Sequence, residues 1–201
     1  MICVNKRTIE TGSNRLVLAS TSPRRLDLLF QIGIKPKAVV DPKIIEYTKQ
    51  NERPEHLVRR LSKEKAEAVF KKHKGVWILA ADTVVVCGKR KIGKPSNADQ
   101  ARKFLKLLSG RRHYVYGGIC VLDPVGSIHL RCVKTLVTFK RLQFNEIESY
   151  IESGEWLDKA GGYAIQGRGA LFVKKIQGSY SNVVGLPLFE TNMLLMGLGY
   201  S

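Results

Sequence analysis

The run VWILAADTVVV, Val76–Val86, decides the fold. It is apolar and rich in β-branched residues, broken only by Asp82 and Thr83. A continuous run of this kind reads as a strand buried on both faces, which needs a layer of structure on each side. A carboxylate in its middle is costly to desolvate. Asp82 therefore requires a cation partner, a metal ion, or a break in the sheet through which it reaches a cleft.

Outward from this strand, helix and strand signals alternate. Towards the N-terminus, Pro54–Lys72 repeats apolar residues at Leu57, Val58, Leu61, Ala68 and Val69, spacings that make one helical face. Before it, Asp41–Arg53 is polar and reads as a mobile loop, and Lys37–Val40 as a short apolar strand. Arg15–Ala19 reads as a strand running into a helix that starts at Pro23, with Ser22 at its cap, and ends near Gly33.

Towards the C-terminus, Cys87–Lys94 reads as a turn and return, and Asn97–Leu108 as a helix capped by Asn97 and closed by Gly110. Tyr114–Leu122 and Ile128–Lys140 flank Asp123-Pro124-Val125-Gly126, which predicts a long hairpin. The alternation of its second strand changes phase at Val133–Lys134, which predicts a bulge or strong twist there. Asn145–Glu152, Leu171–Ile176 and Pro187–Leu198 add a helix, a strand and a last helix. No internal repeat and no interdomain linker is visible. The prediction is one α/β unit around a mixed sheet over residues 15–201, with residues 1–14 a poorly ordered leader.

With 201 residues, 44% hydrophobic and 25% charged, the chain is neither a collagen nor a low-complexity sequence, and it is long enough for one core or two lobes sharing a cleft. Cys3, Cys87, Cys120 and Cys132 form no C-x-x-C pair, which predicts a reduced, cytoplasmic protein. No run approaches the ~20 apolar residues of a membrane helix, and the start lacks the pattern of a signal peptide. Lys and Arg number 34 against 17 Asp and Glu, a formal charge of +17 that makes phosphate the leading ligand chemistry.

Four places could carry chemistry. Ser20-Thr21-Ser22-Pro23-Arg24-Arg25 sets two arginines in a first helical turn, against the positive end of the helix dipole. Either an anion sits there among free N–H groups, hydroxyls and guanidinium forks, or Ser22 merely caps the helix and the arginines are solvated. Asp82 with Thr83 fits a divalent ion shared with phosphates, or a structural pairing with Lys or Arg. Lys65 lies on the apolar stripe of its helix, so it meets an anion or snorkels to water; Lys94, at the end of the turn after the Asp82 strand, could reach the same place. In Asp158–Gly169, glycines permit close backbone approach and Gln166 offers an amide suited to a base edge, the plain alternative being a glycine-rich turn. His56, His73, His113 and His129 lack metal-ligand spacing, and neither a P-loop nor a G-x-S-x-G elbow occurs.

Taken together, LVLASTSPRR (Leu16–Arg25), RLSKEKA (Arg60–Ala66), ILAADTVV (Ile78–Val85), GKP (Gly93–Pro95), LDKAGGYAIQGRGA (Leu157–Ala170) and YSNVVGLPL (Tyr180–Leu188) resemble the Maf family. These are nucleoside triphosphate pyrophosphatases, also described as septum-formation inhibitors. The resemblance implies an elongated α/β fold with two lobes around a central cleft, similar to the inosine triphosphate pyrophosphatases. It also implies a homodimer, dependence on Mg²⁺ or Mn²⁺, and hydrolysis between the α- and β-phosphates. By the same resemblance, Asp82 matches the catalytic proton acceptor, Arg24, Arg25, Lys65 and Lys94 the phosphate-binding cations, and Ser20 and Ser22 the phosphate-loop serines.

Arg24, Thr83 and Gln166 match the dTTP/UTP branch of that family; the branch similar to 7-methyl-GTP pyrophosphatases has an aromatic, Gln and Glu at those places. A neutral Gln complements the imide edge of a pyrimidine, whereas a carboxylate favours the donor-rich edge of guanine. The acidic pair that commonly follows the second strand is Ile45-Glu46 here, so Glu46 is expected to join Asp82 at the metal without a second acid beside it. Two other readings compete. The basic stretch around Arg59, Arg60, Lys71, Lys72 and Lys74 would suit a nucleic-acid-binding module, although no recognition motif or aromatic interleaving supports it. A non-catalytic regulator of cell division is the third.

Overall fold

A computed structural model describes residues 16–200; the expected leader, Cys3 and Arg15 lie outside the described residues. The strands are β1 (Leu16–Ala19), β2 (Ala38–Val40), β3 (Trp77–Cys87), β4 (Arg90–Ile92), β5 (Arg112–Leu122), β6 (Ile128–Phe139) and β7 (Val173–Gln177). They form a seven-stranded sheet in the order β2-β1-β3-β5-β6-β7, with β4 also paired to β3. β1 is parallel to β2 and β3, and the remaining pairs are antiparallel, so the sheet is mixed. The helices are α1 (Pro23–Gln31), α2 (Pro54–Phe70), α3 (Ala98–Leu108), α4 (Phe144–Glu152), α5 (Tyr180–Val184) and α6 (Leu188–Gly197). Single 3-10 turns lie at Ala160–Gly162 and Arg168–Phe172.

β3 is buried on both faces, as its composition requires. Leu79, Ala81, Val85 and Cys87 enter a large apolar cluster with residues of α1, α3, α4 and α6. The opposite face of β3 lies under α2. Close packing there depends on Gly118, which sits across from Asp82 in β5: a Cβ on Gly118 would run into the backbone carbonyl of Val58 in α2.

Strand pairing also makes the break that Asp82 needs. On the side of β3 away from β5, β1 pairs with Trp77–Ala80 and β4 with Val85–Cys87. Ala81–Val84 lie between these partners, so the sheet is split at Asp82 and Thr83. The C-terminal ends of β1 and β4, which carry Ser20 and Lys94, frame this gap.

Three expectations are corrected. The β5–β6 register runs without a shift from Arg112↔Thr138 to Leu122↔Ile128, and the irregularity lies instead at Thr138/Phe139, where β6 pairs with β7. The phase change at Val133–Lys134 marks where burial begins: β7 covers only the end of β6, and the residues before Thr135 are not buried. In α2 the buried small residue is Ala66 rather than Ala68. Ser22 occupies the N-cap of α1 but its side chain caps nothing.

Candidate active site

The split edge of β3 opens into a cavity of about 550 Å³. All ten residues singled out in the sequence line it: Ser20, Ser22, Arg24, Arg25, Glu46, Lys65, Asp82, Thr83, Lys94 and Gln166. They arrive from the β1–α1 turn, the first turn of α1, the loop after β2, α2, β3, the loop after β4 and the segment before the second 3-10 turn.

Lys65 and Asp82 form the floor. The Lys65 ammonium donates to Asp82 Oδ1 at 2.6 Å and lies 2.8 Å from Glu46 Oε1. Lys65 and Asp82 are each 5% exposed, so Lys65 does not snorkel to water. Burial pushes the Asp82 carboxyl above its ordinary range, further than Lys65 and Arg25 pull it down. A raised carboxyl is a stronger base than an exposed one. At Glu46 burial also pushes upward, but Lys65 outweighs it with help from Lys94 and Arg25, leaving this carboxyl below its ordinary value. Two neighbouring acids are thus driven apart, one towards accepting a proton and one towards staying charged.

Beside this floor lie cationic groups. Pro23 opens α1, no acid stands in its first turn, and the Ser22 N–H donates to Ser20 Oγ at 3.2 Å. Arg25 is half-buried and donates to the Gly185 carbonyl (2.9 Å), Ser20 Oγ (3.0 Å) and Thr83 Oγ1 (3.3 Å). Arg24 donates to the Asp158 carbonyl at 3.2 Å. Every one of these acceptors is neutral. Two guanidinium groups are thus held at a helix N-terminus by neutral acceptors, and burial lowers the pKa of both, an arrangement whose chemistry suits an anion. Lys94 is exposed on the rim, 3.8 Å from Asp158 Oδ1, and Gln166 is exposed on the same rim.

Several contacts that shape this site escaped the sequence reading. Asp158, at φ 56°, binds Arg24 through its carbonyl and faces Lys94 with its carboxylate. Gly185 follows the end of α5, and its carbonyl holds Arg25. Asn182 anchors α5 by donating to the Val115 carbonyl (3.1 Å) and Thr135 Oγ1 (3.0 Å). Adjacent glycines inside a strand, Gly117-Gly118, were a readable signal of close approach. Arg60, counted among the basic surface residues, is occupied by Glu52 and Glu64. Among the described residues no cluster of three or more His, Cys, Asp or Glu side chains could hold a metal by itself, and no helix is long and apolar enough to cross a membrane.

The family described as "Maf-like protein" matches residues 15–198.

The chain belongs to the Maf-like family.

It is 56% identical over 187 residues to a Paramagnetospirillum magneticum protein named dTTP/UTP pyrophosphatase, covering 92% of this chain and 98% of that one. Proteins of the same name from Rhizobium etli (52% identity, 92% of this chain, 93% of the relative) and Rhodospirillum rubrum (50%, 94% and 90%) are similar. Among solved structures, a nucleoside-triphosphatase / dITP/XTP pyrophosphatase from Mycobacterium abscessus matches with a TM-score of 0.41 at 16% identity, over 63% of this chain and 75% of that one.

Proposed function

We propose that this chain is a dTTP/UTP pyrophosphatase, hydrolysing the α–β anhydride of a pyrimidine nucleoside triphosphate to the monophosphate and pyrophosphate in the cytoplasm. One observation carries the reading. A buried carboxylate–lysine pair and two half-buried arginines with neutral partners line one cavity of about 550 Å³, within the range of nucleotide-sized sites. The names of the Maf-like relatives agree with it.

The triphosphate lies along the side chains of Arg24 and Arg25 and the Arg24 N–H at the start of α1, with Lys94 closing from the rim. Asp82 orients a water and accepts its proton as the water oxygen bonds to the α-phosphorus. The P–O bond to the β-phosphate breaks, and its electron pair leaves with pyrophosphate. Arg25 and Lys65 offset the charge growing there, a role of positioning and electrostatics rather than covalent catalysis. Thr83 keeps the Arg25 fork aligned through its hydroxyl. Gln166, on the rim, reads the imide edge of the base through its amide.

A divalent cation, Mg²⁺ or Mn²⁺, belongs in this reading. Lys65 takes Asp82 Oδ1 and Glu46 Oε1, so the second Glu46 oxygen could bind the ion directly while Asp82 would reach it through the water it orients. Two carboxylates suffice only when substrate oxygens and waters complete the shell, which is how Mg²⁺ is ordinarily bound. Such an ion would neutralise phosphate charge.

The test is pyrophosphate release from dTTP, UTP, CTP, GTP and 7-methyl-GTP with Mg²⁺ or Mn²⁺, beside Asp82→Asn. Turnover of dTTP and UTP, reduced at least ~100-fold in the variant, is expected from loss of a general base. Near-normal turnover by Asp82→Asn, or preferred hydrolysis of 7-methyl-GTP, overturns the assignment.

A further inference from the structure

Glu46 reaches the cavity from a segment with little of its own to hold it. Residues 41–53 form neither helix nor strand, and Lys43 and Asn51 sit at φ 46° and 54° without being glycine. Ile44 packs against the small cluster under α2, while Ile45 and Tyr47 are exposed.

What fixes the segment is Arg60. Its Nε donates to Glu52 Oε1 at 2.7 Å, its Nη2 to Glu52 Oε2 and to the Tyr47 carbonyl, both at 2.8 Å, and its Nη1 to the two Glu64 oxygens at 3.1 and 3.2 Å. All three guanidinium nitrogens are engaged, and the group lies over the Tyr47 ring, 5.0 Å from its centroid. Glu52 also accepts from the Lys49 N–H at 3.1 Å, and Lys91 of β4 donates to its carbonyl at 2.7 Å. The Tyr47 carbonyl is one residue from Glu46. Arg60 and Lys65 share α2, five residues or about 7.5 Å apart along a rigid axis.

We propose that Arg60 is the positioning residue for Glu46: it clasps Tyr47 and Glu52 to α2 and thereby sets Glu46 against Lys65 at the cavity. The clasp ties both partners of the Glu46–Lys65 contact to one rigid body. A lysine at position 60 cannot reproduce it, because a point charge lacks the fork that reaches Glu52, Glu64 and Tyr47 at once.

The kinetic half of the test rests on the hydrolytic reading; hydrogen exchange does not. Arg60→Lys and Glu52→Gln are each expected to speed amide exchange at least tenfold in residues 44–52 while leaving the α2 core amides unchanged. With dTTP as substrate, Arg60→Lys is expected to lower kcat/KM at least tenfold in the native background. In a Glu46→Gln background the factor lost is expected to be at least threefold smaller, since a residue acting through Glu46 has nothing left to position. Unchanged exchange in both variants overturns the clasp. Factors that agree within threefold in the two backgrounds overturn its action through Glu46. A native protein with no turnover sinks the hydrolytic reading, and exchange alone then decides the clasp. Should Arg60→Lys fail to fold, Glu52→Gln is read in both arms.

Discussion

On one face of β3, Leu79, Ala81, Val85 and Cys87 join a single apolar cluster that extends through five helices. On the other, Ile78 and Ala80 belong to one small cluster with Ala66 and Val69 of α2, and Val84 and Val86 to another with Leu57, Val58 and Leu61. Asp82 and Lys65 stand between the two. The same strand thus shows what its sequence builds when continuous and what it builds when interrupted. The apolar face demonstrates that the fold can be sealed without a charged pair. The interruption serves the cavity, and it carries a desolvation cost that a well-packed apolar pair would not.

The sharpest way to break the contrast is to make the two faces alike. Replacing the pair with Asp82→Leu and Lys65→Met should abolish nucleotide hydrolysis, a loss of at least ~10³-fold, while leaving stability unchanged or raising it by about 1 kcal/mol. Pyrophosphate release and denaturant unfolding measure the two quantities. A double variant that is strongly destabilised would show the pair holding the two small clusters together, and the contrast would fail.

The apolar face should respond in the opposite sense. Leu79 is fully buried, and Leu79→Ala should cost roughly 4 kcal/mol in transfer and cavity terms. Its kcat should remain within about twofold at a temperature where the variant is folded, since no cavity-lining group moves. Unfolding curves and initial rates on one preparation check both.

That face has a titratable group of its own, kept neutral. His113 is 1% exposed among Phe139 and Tyr163, its Nε2 is 2.9 Å from the Tyr163 hydroxyl and its Nδ1 has no partner. Burial lowers its pKa to about 4 from an ordinary 6.5. The folded state therefore resists protonation: stability is full above pH 6.5 and falls as the pH drops from 6.5 towards 4, by about 3 kcal/mol in all. The Glu52 carboxyl, held at about 2 chiefly by its hydrogen bonds from Arg60, loses its contribution in a lower window, from about 4.5 down to 2. Unfolding free energies between pH 7 and 4 should decline in the native chain and flatten in His113→Leu.

The elements were legible where the pattern is local. Long apolar or amphipathic runs gave β3, α2 and the hairpin, and an acid inside a buried strand marked Asp82. What escaped depends on meetings between distant segments. The gap at Ala81–Val84 comes from β1 and β4 ending at either side of it, which no single stretch records. The Asp158 carbonyl and the Gly185 carbonyl that hold Arg24 and Arg25 are main-chain atoms with no side-chain signature. Arg60 looked like surface charge because its chief partner, Glu52, lies in a segment without periodicity. The misplaced bulge in β6 has the same origin, since burial there is set by how far β7 extends.

The smallest expected effect lies on the rim, where neither face of β3 is disturbed. Gln166 is exposed and rests on a segment separate from the Asp82–Lys65 floor, so Gln166→Glu should leave stability within about 0.5 kcal/mol. It should change choice rather than chemistry. A carboxylate adds one negative charge near a polyanionic substrate, and that repulsion weakens every nucleotide alike. The informative quantity is therefore the ratio of kcat/KM for dTTP to that for GTP, in which the common repulsion cancels. A carboxylate accepts but does not donate, so it loses its match to the imide acceptors of thymine while meeting the amino and imino donors of guanine. A swing of about 1 kcal/mol, between five- and tenfold towards GTP, is the size expected for one partly solvated contact. An unchanged ratio with uniformly weaker binding would leave Gln166 a rim residue that the phosphates sense and the base does not.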